Sequence, residues 1–329
     1  MRAFVTGGTG FIGSSVIRTL LERGIAVRAL CRPASPRTNL KGLDVEAVDG
    51  DLLDPGSLRR GMQGCELVFH VAALYSFWVR PRNSIYATNV DGSRHTFDAA
   101  REAGAERIVY TSSVAALGLR ADGSPADETT STSVDRVIGD YKRTKFLAEQ
   151  LALQYAKELP IVIVNPSFPV GPRDAKPTPT GQTILDFLNR KLPAYLDTGM
   201  NVVDVEDVAL GHWLAADRGN VGERYILGGE NLTMKAMLDL LSGITGLPAP
   251  RIRLPYAPIL ALSYANAALC SLLPGMTPRM TPATIRMSRH RMYFDPGKAI
   301  RELGFPQTPA RDALAKAVSW YQDNGYVRR

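Results

Sequence analysis

The 329 residues are 45% apolar and 22% charged, the balance of a soluble globular chain long enough for one large domain or two, and not that of a disordered or fibrous one. Three distant cysteines (Cys31, Cys65, Cys270) without a C-x-x-C pair argue against a disulfide framework or a thiolate zinc site, and four scattered histidines without ligand spacing leave no metal expected. A net charge of +7 favours anionic partners, but the basic residues are dispersed and lack the interleaved aromatics of a nucleic-acid platform, so no nucleic acid is expected.

The chain enters its first apolar run, 3–5, directly after Met1 and Arg2. That leaves no room for a signal or transit peptide, and a cytoplasmic location is expected. The run stops at glycines, and a helical pattern (Ile12, Val16, Leu20) starts immediately beyond them. Gly7, Gly10 and Gly13, with Phe11 and Ile12 between the last two, let the chain turn sharply and let backbone approach a pyrophosphate. The helix start then offers free N–H groups and partial positive charge to the phosphates. A strand, a glycine turn and a helix in this order predict a dinucleotide site.

The run 25–30 predicts the second strand of a βαβ unit. An acid at its end would receive the 2′-hydroxyl of NAD, but Cys31 and Arg32 stand there, with Arg37 following. An arginine matches the 2′-phosphate of NADP in charge and geometry. NADP(H) is therefore expected ahead of NAD(H). Strand 45–48 leads to Gly50, Asp51 and Leu52, and a helix starts at Asp54 or Pro55. Strand 67–70 closes on Ala72 and Ala73, small enough for a ligand near the backbone, and His70 is read as a packed residue. A helix over about 85–103 and a strand over 107–110 continue the alternation. The prediction is an α/β, Rossmann-type, doubly wound parallel sheet.

Hydroxyls cluster at the end of that strand (Thr111, Ser112, Ser113), on the sheet edge where such folds bind ligands. A long loop delivers the chain to a helix that opens with Asp140 and Tyr141. Tyr141 and Lys145 are four apart and share one helical face. A lysine ammonium nearby favours phenolate and lowers the tyrosine pKa from about 10. Tyr141 could then exchange a proton with a substrate oxygen that Ser113 hydrogen-bonds.

The order TGGTGFIG, GDLLD, HVAA, YATNVDGS, YTSS and YKRTK resembles the extended short-chain dehydrogenase/reductases from the first residue to at least Ala215. Within them it is most similar to dihydroflavonol-4-reductase-like proteins and the hopanoid-associated sugar epimerase group, through the stretches LPAYLDTGMN and ERYILGGENLT. The resemblance implies a catalytic set of Ser113, Tyr141 and Lys145, with Lys145 also on the nicotinamide ribose. It further implies adenine contact by Asp51 beside Leu52, cofactor contacts around Ala72, Ala73, Thr111 and Ser167, a supporting role for Asn89, and a homodimer as one option.

Segments 1–165 and about 200–230 are expected to form the dinucleotide-binding domain, and about 166–199 with 231–329 a smaller, interleaved substrate lobe. Tyr75, Phe77, Trp78 and Arg82 on one side, with Ser167, Phe168 and Arg173 opposite, are the candidates for a small-molecule pocket, in which Ser113 also meets the substrate. Segment 254–278 carries no charge. Pro258, Asn266, Ser271 and Pro274 interrupt it, which argues against a transmembrane span. It is expected to be a buried or surface-seated helix, with peripheral membrane contact as the alternative. Three functions remain open: a carbonyl reductase, an epimerase that oxidises and re-reduces a sugar carbinol, and an NADP-binding scaffold without turnover. Reduction is placed first, because Cys31-Arg32 is not the acid of NAD-retaining epimerases and because Met200 stands where nucleotide-sugar members place an arginine.

Overall fold

A computed structural model describes residues 1–272, 278 and 280–327. Strand β1 (Arg2–Thr6) turns at the glycines into helix α1 (Phe11–Leu21), followed by β2 (Ala26–Cys31) and β3 (Glu46–Asp49). Helix α2 (Pro55–Met62) starts with Pro55 inside its first turn and Asp54 as its cap, the carboxylate accepting from the Gly56 N–H at 3.0 Å. Then come β4 (Leu67–His70), α3 (Asn83–Tyr86), α4 (Gly92–Ala103), β5 (Arg107–Thr111), α5 (Asp140–Tyr155) and β6 (Ile161–Pro166). The expected helix over 85–103 starts at Asn83 and contains a π turn, Ala87–Asp91, which carries the buried Asn89.

The remainder comprises β7 (Phe168–Val170), α6 (Pro179–Leu188), β8 (Ala194–Tyr195), β9 (Gly199–Asp204), α7 (Val205–Arg218), β10 (Arg224–Leu227), β11 (Glu230–Thr233), α8 (Met234–Thr245) and β12 (Ile252–Arg253). Helices α9 (Tyr256–Leu272) and α10 (Pro282–Met287), strand β13 (Arg291–Met292) and helices α11 (Gly297–Leu303) and α12 (Ala310–Asp323) follow. Part of the charge-free segment 254–278, residues 273–277, lies outside the described residues.

Seven strands form one sheet in the order β10-β6-β5-β4-β1-β2-β3, every neighbouring pair parallel. The chain winds outward from β1 to β3, then returns to the other side of β1 at β4. This doubly wound order places a topological switch point between β1 and β4. The strands are apolar on both faces, as a sheet covered on both sides requires. Ala3 and Val5, with Val162 and Val164, pack under α1 and α7, whereas Phe4, Ile161 and Ile163 pack with Leu58, Phe97 and Leu151 of α2, α4 and α5. A second sheet runs β11-β9-β13 with β7 also on β9, and Val170, Met200, Val202, Leu241 and Tyr321 fill its core.

Candidate active site

At the switch point the glycines are required by space as well as by conformation. Gly7 has φ of +72°, and a Cβ there would stand 2.8 Å from Ala72 backbone across the β1/β4 gap. A Cβ on Gly13 would stand 2.2 Å from the Gly7 carbonyl oxygen. The Gly10 N–H donates to that same oxygen at 2.9 Å, closing the turn. Gly10 also caps α1 without any side chain, so the first-turn N–H groups around Phe11 and Ile12 keep their capacity for an anion. This is a cradle that a side chain would fill, and it suits a dinucleotide pyrophosphate.

A hydrogen-bond chain fixes the backbone around it. The Ala72 N–H donates to Thr6 Oγ1 at 3.1 Å, Thr6 Oγ1 meets His70 Nδ1 at 2.8 Å, His70 Nε2 meets Ser93 Oγ at 3.0 Å, and Ser93 donates to the Asn89 carbonyl at 2.7 Å. Ser93 spends its one proton on the Asn89 carbonyl and so accepts from His70 Nε2–H, and burial keeps the ring neutral, which leaves Nδ1 to accept from Thr6. Burial pushes its pKa down to about 3, and the neighbouring Lys145 charge acts the same way. Asn89 continues the chain, accepting from the Leu74 N–H at 2.7 Å and donating to Thr144 Oγ1 at 3.0 Å, which donates to the Tyr141 carbonyl at 2.9 Å. The cradle and the start of α5 are thus one connected structure. His70 is a packed residue, as its strand-end position suggested.

Helix α5 opens at Gly139, whose φ of +88° suits glycine. Asp140 in its first turn accepts from Arg82 through Nε at 2.8 Å and Nη2 at 2.6 Å, and from the Tyr86 hydroxyl at 3.2 Å. This clamp sets the position of the next residue, Tyr141. No motif in the sequence pointed to the pairing, because its members are separated by the whole of α4 and β5. The Tyr141 ring packs on Tyr75 (centroids 4.6 Å apart) and edge-on against Phe77 (5.9 Å), and its hydroxyl faces that of Ser113.

The expected lowering of the Tyr141 pKa does not occur. Burial pushes the phenol up to about 12, with the Ser113 hydroxyl alone drawing it back. Lys145 is buried one helical turn on and donates to the Thr111 carbonyl at 2.8 Å. Its own pKa falls to about 8 through burial, Glu149 opposing. Burial sets the direction, and Tyr141 stays protonated at neutral pH.

A cavity of about 580 Å³ opens beside Tyr141, lined by Phe77, Trp78, Arg80, Arg82, Tyr264 and Arg286 among others. Trp78 belongs to it, and Tyr75 adjoins it through Tyr141. Phe168 and Arg173 do not line it. Phe168 begins β7, and Arg173 (φ +73°) pairs with Glu206 at 2.9 Å while its carbonyl accepts from Asn39, which also holds the Thr9 carbonyl of the glycine turn. Ser167 Oγ donates to Asn201 Oδ1 at 2.8 Å, and Thr111 Oγ1 meets His212 Nε2 at 2.8 Å. Asp51 Oδ1 accepts the Leu53 N–H at 2.9 Å beside the buried Leu52. Arg37 is ion-paired with Asp49, whereas Arg32 is exposed past β2 without an ion pair among the described residues.

A parallel sheet with a glycine cradle at its switch point defines the class, a Rossmann-type dinucleotide-binding protein. Comparison with known proteins then gives the family. The family model for the NAD dependent epimerase/dehydratase family matches residues 3–228. The chain is 49% identical to the "Putative dihydroflavonol 4-reductase" of Synechocystis sp., covering 99% of this chain and 96% of that one. It is 36% identical to "Sterol demethylase protein B" of Methylococcus capsulatus, covering 99% and 100%. Among solved structures, gox2253 matches with 48% identity and a TM-score of 0.89 over 99% of both chains. A nucleoside-diphosphate-sugar epimerase from Pseudomonas aeruginosa, PA4631, matches with 27% identity and a TM-score of 0.82 over 100% of this chain and 99% of that one. The chain belongs to the NAD-dependent epimerase/dehydratase family of extended short-chain dehydrogenase/reductases, and it is an NAD(P)-dependent enzyme of the dihydroflavonol-4-reductase-like kind acting on a small molecule.

Proposed function

We propose that this enzyme is an NADP(H)-dependent reductase of a carbonyl on a bulky, largely apolar substrate. The observation that carries the reading is a protonated, half-buried phenol, Tyr141, facing the Ser113 hydroxyl at the wall of a roomy cavity. A bound nicotinamide supplies the hydride. Tyr141 gives its proton to the substrate oxygen, and Ser113 donates a hydrogen bond to the same oxygen as charge builds on it. Lys145, held at the Thr111 carbonyl, anchors the ribose beside Tyr141. The cradle of Gly7, Gly10 and Gly13, with Phe11 and Ile12, takes the pyrophosphate. Asp51 and Leu52 take the adenine side, and Ala72, Ala73, Asn89, Thr111 and Ser167 line the remainder. Arg32, free of an ion pair among the described residues, reads the 2′-phosphate, with Arg37 behind it.

The aromatic wall of Phe77, Trp78 and Tyr264 suits a ring system or a hydrocarbon body. The names of two relatives, a dihydroflavonol reductase and a sterol demethylase protein, support such a substrate. A second reading, a sugar epimerase associated with hopanoid biosynthesis, draws support from the family description and from the PA4631 structure. Against a nucleotide-sugar form of it, Met200 is buried in β9 where a cation for the substrate pyrophosphate would be expected. Mixing the enzyme with NADPH and a panel of polycyclic and long-chain ketones tests the choice. Stoichiometric NADPH oxidation with alcohol formation supports reduction. Inversion of a sugar carbinol that keeps its carbinol C–H label, with no net change in cofactor, supports epimerisation.

A further inference from the structure

We propose that α9 and the arginines held along it form the surface by which this protein docks on an anionic lipid bilayer, and that the Tyr141 cavity receives a lipophilic substrate across that surface. The second half rests on the cavity being the substrate site; the docking does not.

Helix α9 differs from an ordinary surface helix: it is apolar nearly all round, yet most of it is exposed. The stripe it turns inward includes Ser263, Asn266 and Cys270, spaced three and four apart, and Ser263 and Cys270 are its only buried side chains. Its outward side is hydrocarbon: Leu262, Tyr264, Leu269 and Leu272 are 57%, 45%, 52% and 79% exposed, with Ala257, Ala261, Ala265 and Ala268 exposed between them. A surface helix in water places its apolar stripe against the core. A contiguous apolar strip on the outside marks a surface that something covers. At 17 residues α9 is too short to span a bilayer, and among the described residues no helix is long and apolar enough to do so.

Charge identifies what covers it. Between Asp239 and Asp295 the sequence has no acidic residue, yet it has Arg251, Arg253, Arg279, Arg286, Arg289 and Arg291. Three arginines sit along α9 itself. The Arg289 guanidinium lies over the Tyr256 ring at 5.3 Å, Arg286 bonds the Tyr264 hydroxyl, and Arg80 donates to the Ser271 hydroxyl at 2.6 Å and carbonyl at 3.3 Å. A second copy docked through this face would bring arginine against arginine with no acid in the segment to meet them. An anionic headgroup layer meets Arg80, Arg286 and Arg289 along α9 while the acyl boundary takes the leucines. Tyr264 and Arg286 also line the Tyr141 cavity, so the docking face and the cavity mouth share residues.

Co-sedimentation of the purified full chain with vesicles tests this directly, using phosphatidylcholine alone and an equal mixture with phosphatidylglycerol. The expected result is binding to the mixed vesicles that weakens at least about tenfold on phosphatidylcholine alone and in high salt. Leu262→Glu with Leu269→Glu should weaken binding to the mixed vesicles by at least about tenfold, with NADPH oxidation on a soluble ketone unchanged. Arg289→Glu alone should weaken it in the same direction without touching the leucines. Docking is overturned by no binding to the mixed vesicles, by undiminished binding of the variants, or by a solution dimer that the leucine variant splits while vesicles bind nothing. Vesicle binding without any NADPH-dependent turnover would instead overturn the reading of the cavity and leave the docking surface standing.

Discussion

Around Gly7 the site is made of backbone, and around Trp78 it is made of side chains. At the first end, main-chain atoms pack closer than a methyl group allows, and Thr6, His70, Ser93, Asn89 and Thr144 lock them into one hydrogen-bond chain. At the second, Phe77, Trp78 and Arg80 come from the loop after β4, Tyr264 from α9 and Arg286 from α10, each contributing a side chain to a wall that leaves about 580 Å³ open. The first kind of construction accepts few residues at each position. The second accepts many, which is how one scaffold serves different substrates.

Removing the group where the two ends meet should have the largest effect. Tyr141→Phe is expected to cut carbonyl reduction about 10²–10⁴-fold with NADPH affinity unchanged. Steady-state kinetics beside a fluorescence titration would check this, and a variant keeping most of its rate would remove Tyr141 from the proton-donor role. Ser113→Ala should cost about 10²-fold.

The backbone end is sharpened by two glycine substitutions in helices. Gly13→Ala forces a methyl into the Gly7 carbonyl and should destabilise the fold by about 1–3 kcal/mol while abolishing dinucleotide binding. Gly243→Ala meets nothing within 4 Å in α8 and should be neutral or stabilise by up to about 1 kcal/mol. Urea midpoints for the pair would show whether space, and not glycine content, makes the cradle.

The same end should be acid-sensitive. Burial lowers His70 to about 3 and His212 to about 4, below their ordinary 6.5, so the folded chain binds fewer protons than the unfolded one. Stability is then intact above pH 6.5 and lost as the pH falls towards 4, at up to about 1.4 kcal/mol per pH unit for each histidine. Denaturation between pH 7 and 5 should show that slope, and His212→Gln should flatten it. The side-chain end gives the smallest effect: Trp78→Ala is expected to raise KM for a bulky ketone about tenfold with little change in kcat.

The comparison also explains what could be read from the chain before folding. The alternation of strand and helix, and the glycines, were legible because main-chain geometry forces residue type at fixed spacing. Tyr141 and Lys145 were legible as a pair because four residues make one helical turn. Their electrostatics were not, since the direction of the Lys145 amine, towards the Thr111 carbonyl, depends on a strand distant in sequence. The Arg82–Asp140 clamp and the engagement of Arg173 with Glu206 escaped for the same reason. The π turn at Asn89 has no sequence signature that a helical pattern would not share. The charge-free run at 254–278 showed its apolarity, but which side of α9 faces outward needed the fold.

The central claim is a dissociable NADPH read by Arg32, and titration of the purified enzyme with NADPH and NADH, alone and as Arg32→Ala, tests it most directly. NADPH binding at least about tenfold tighter than NADH, with the difference erased in the variant, is the predicted result. Stoichiometric NAD retained through purification, or equal affinities for the two cofactors, would contradict it and favour the epimerase reading.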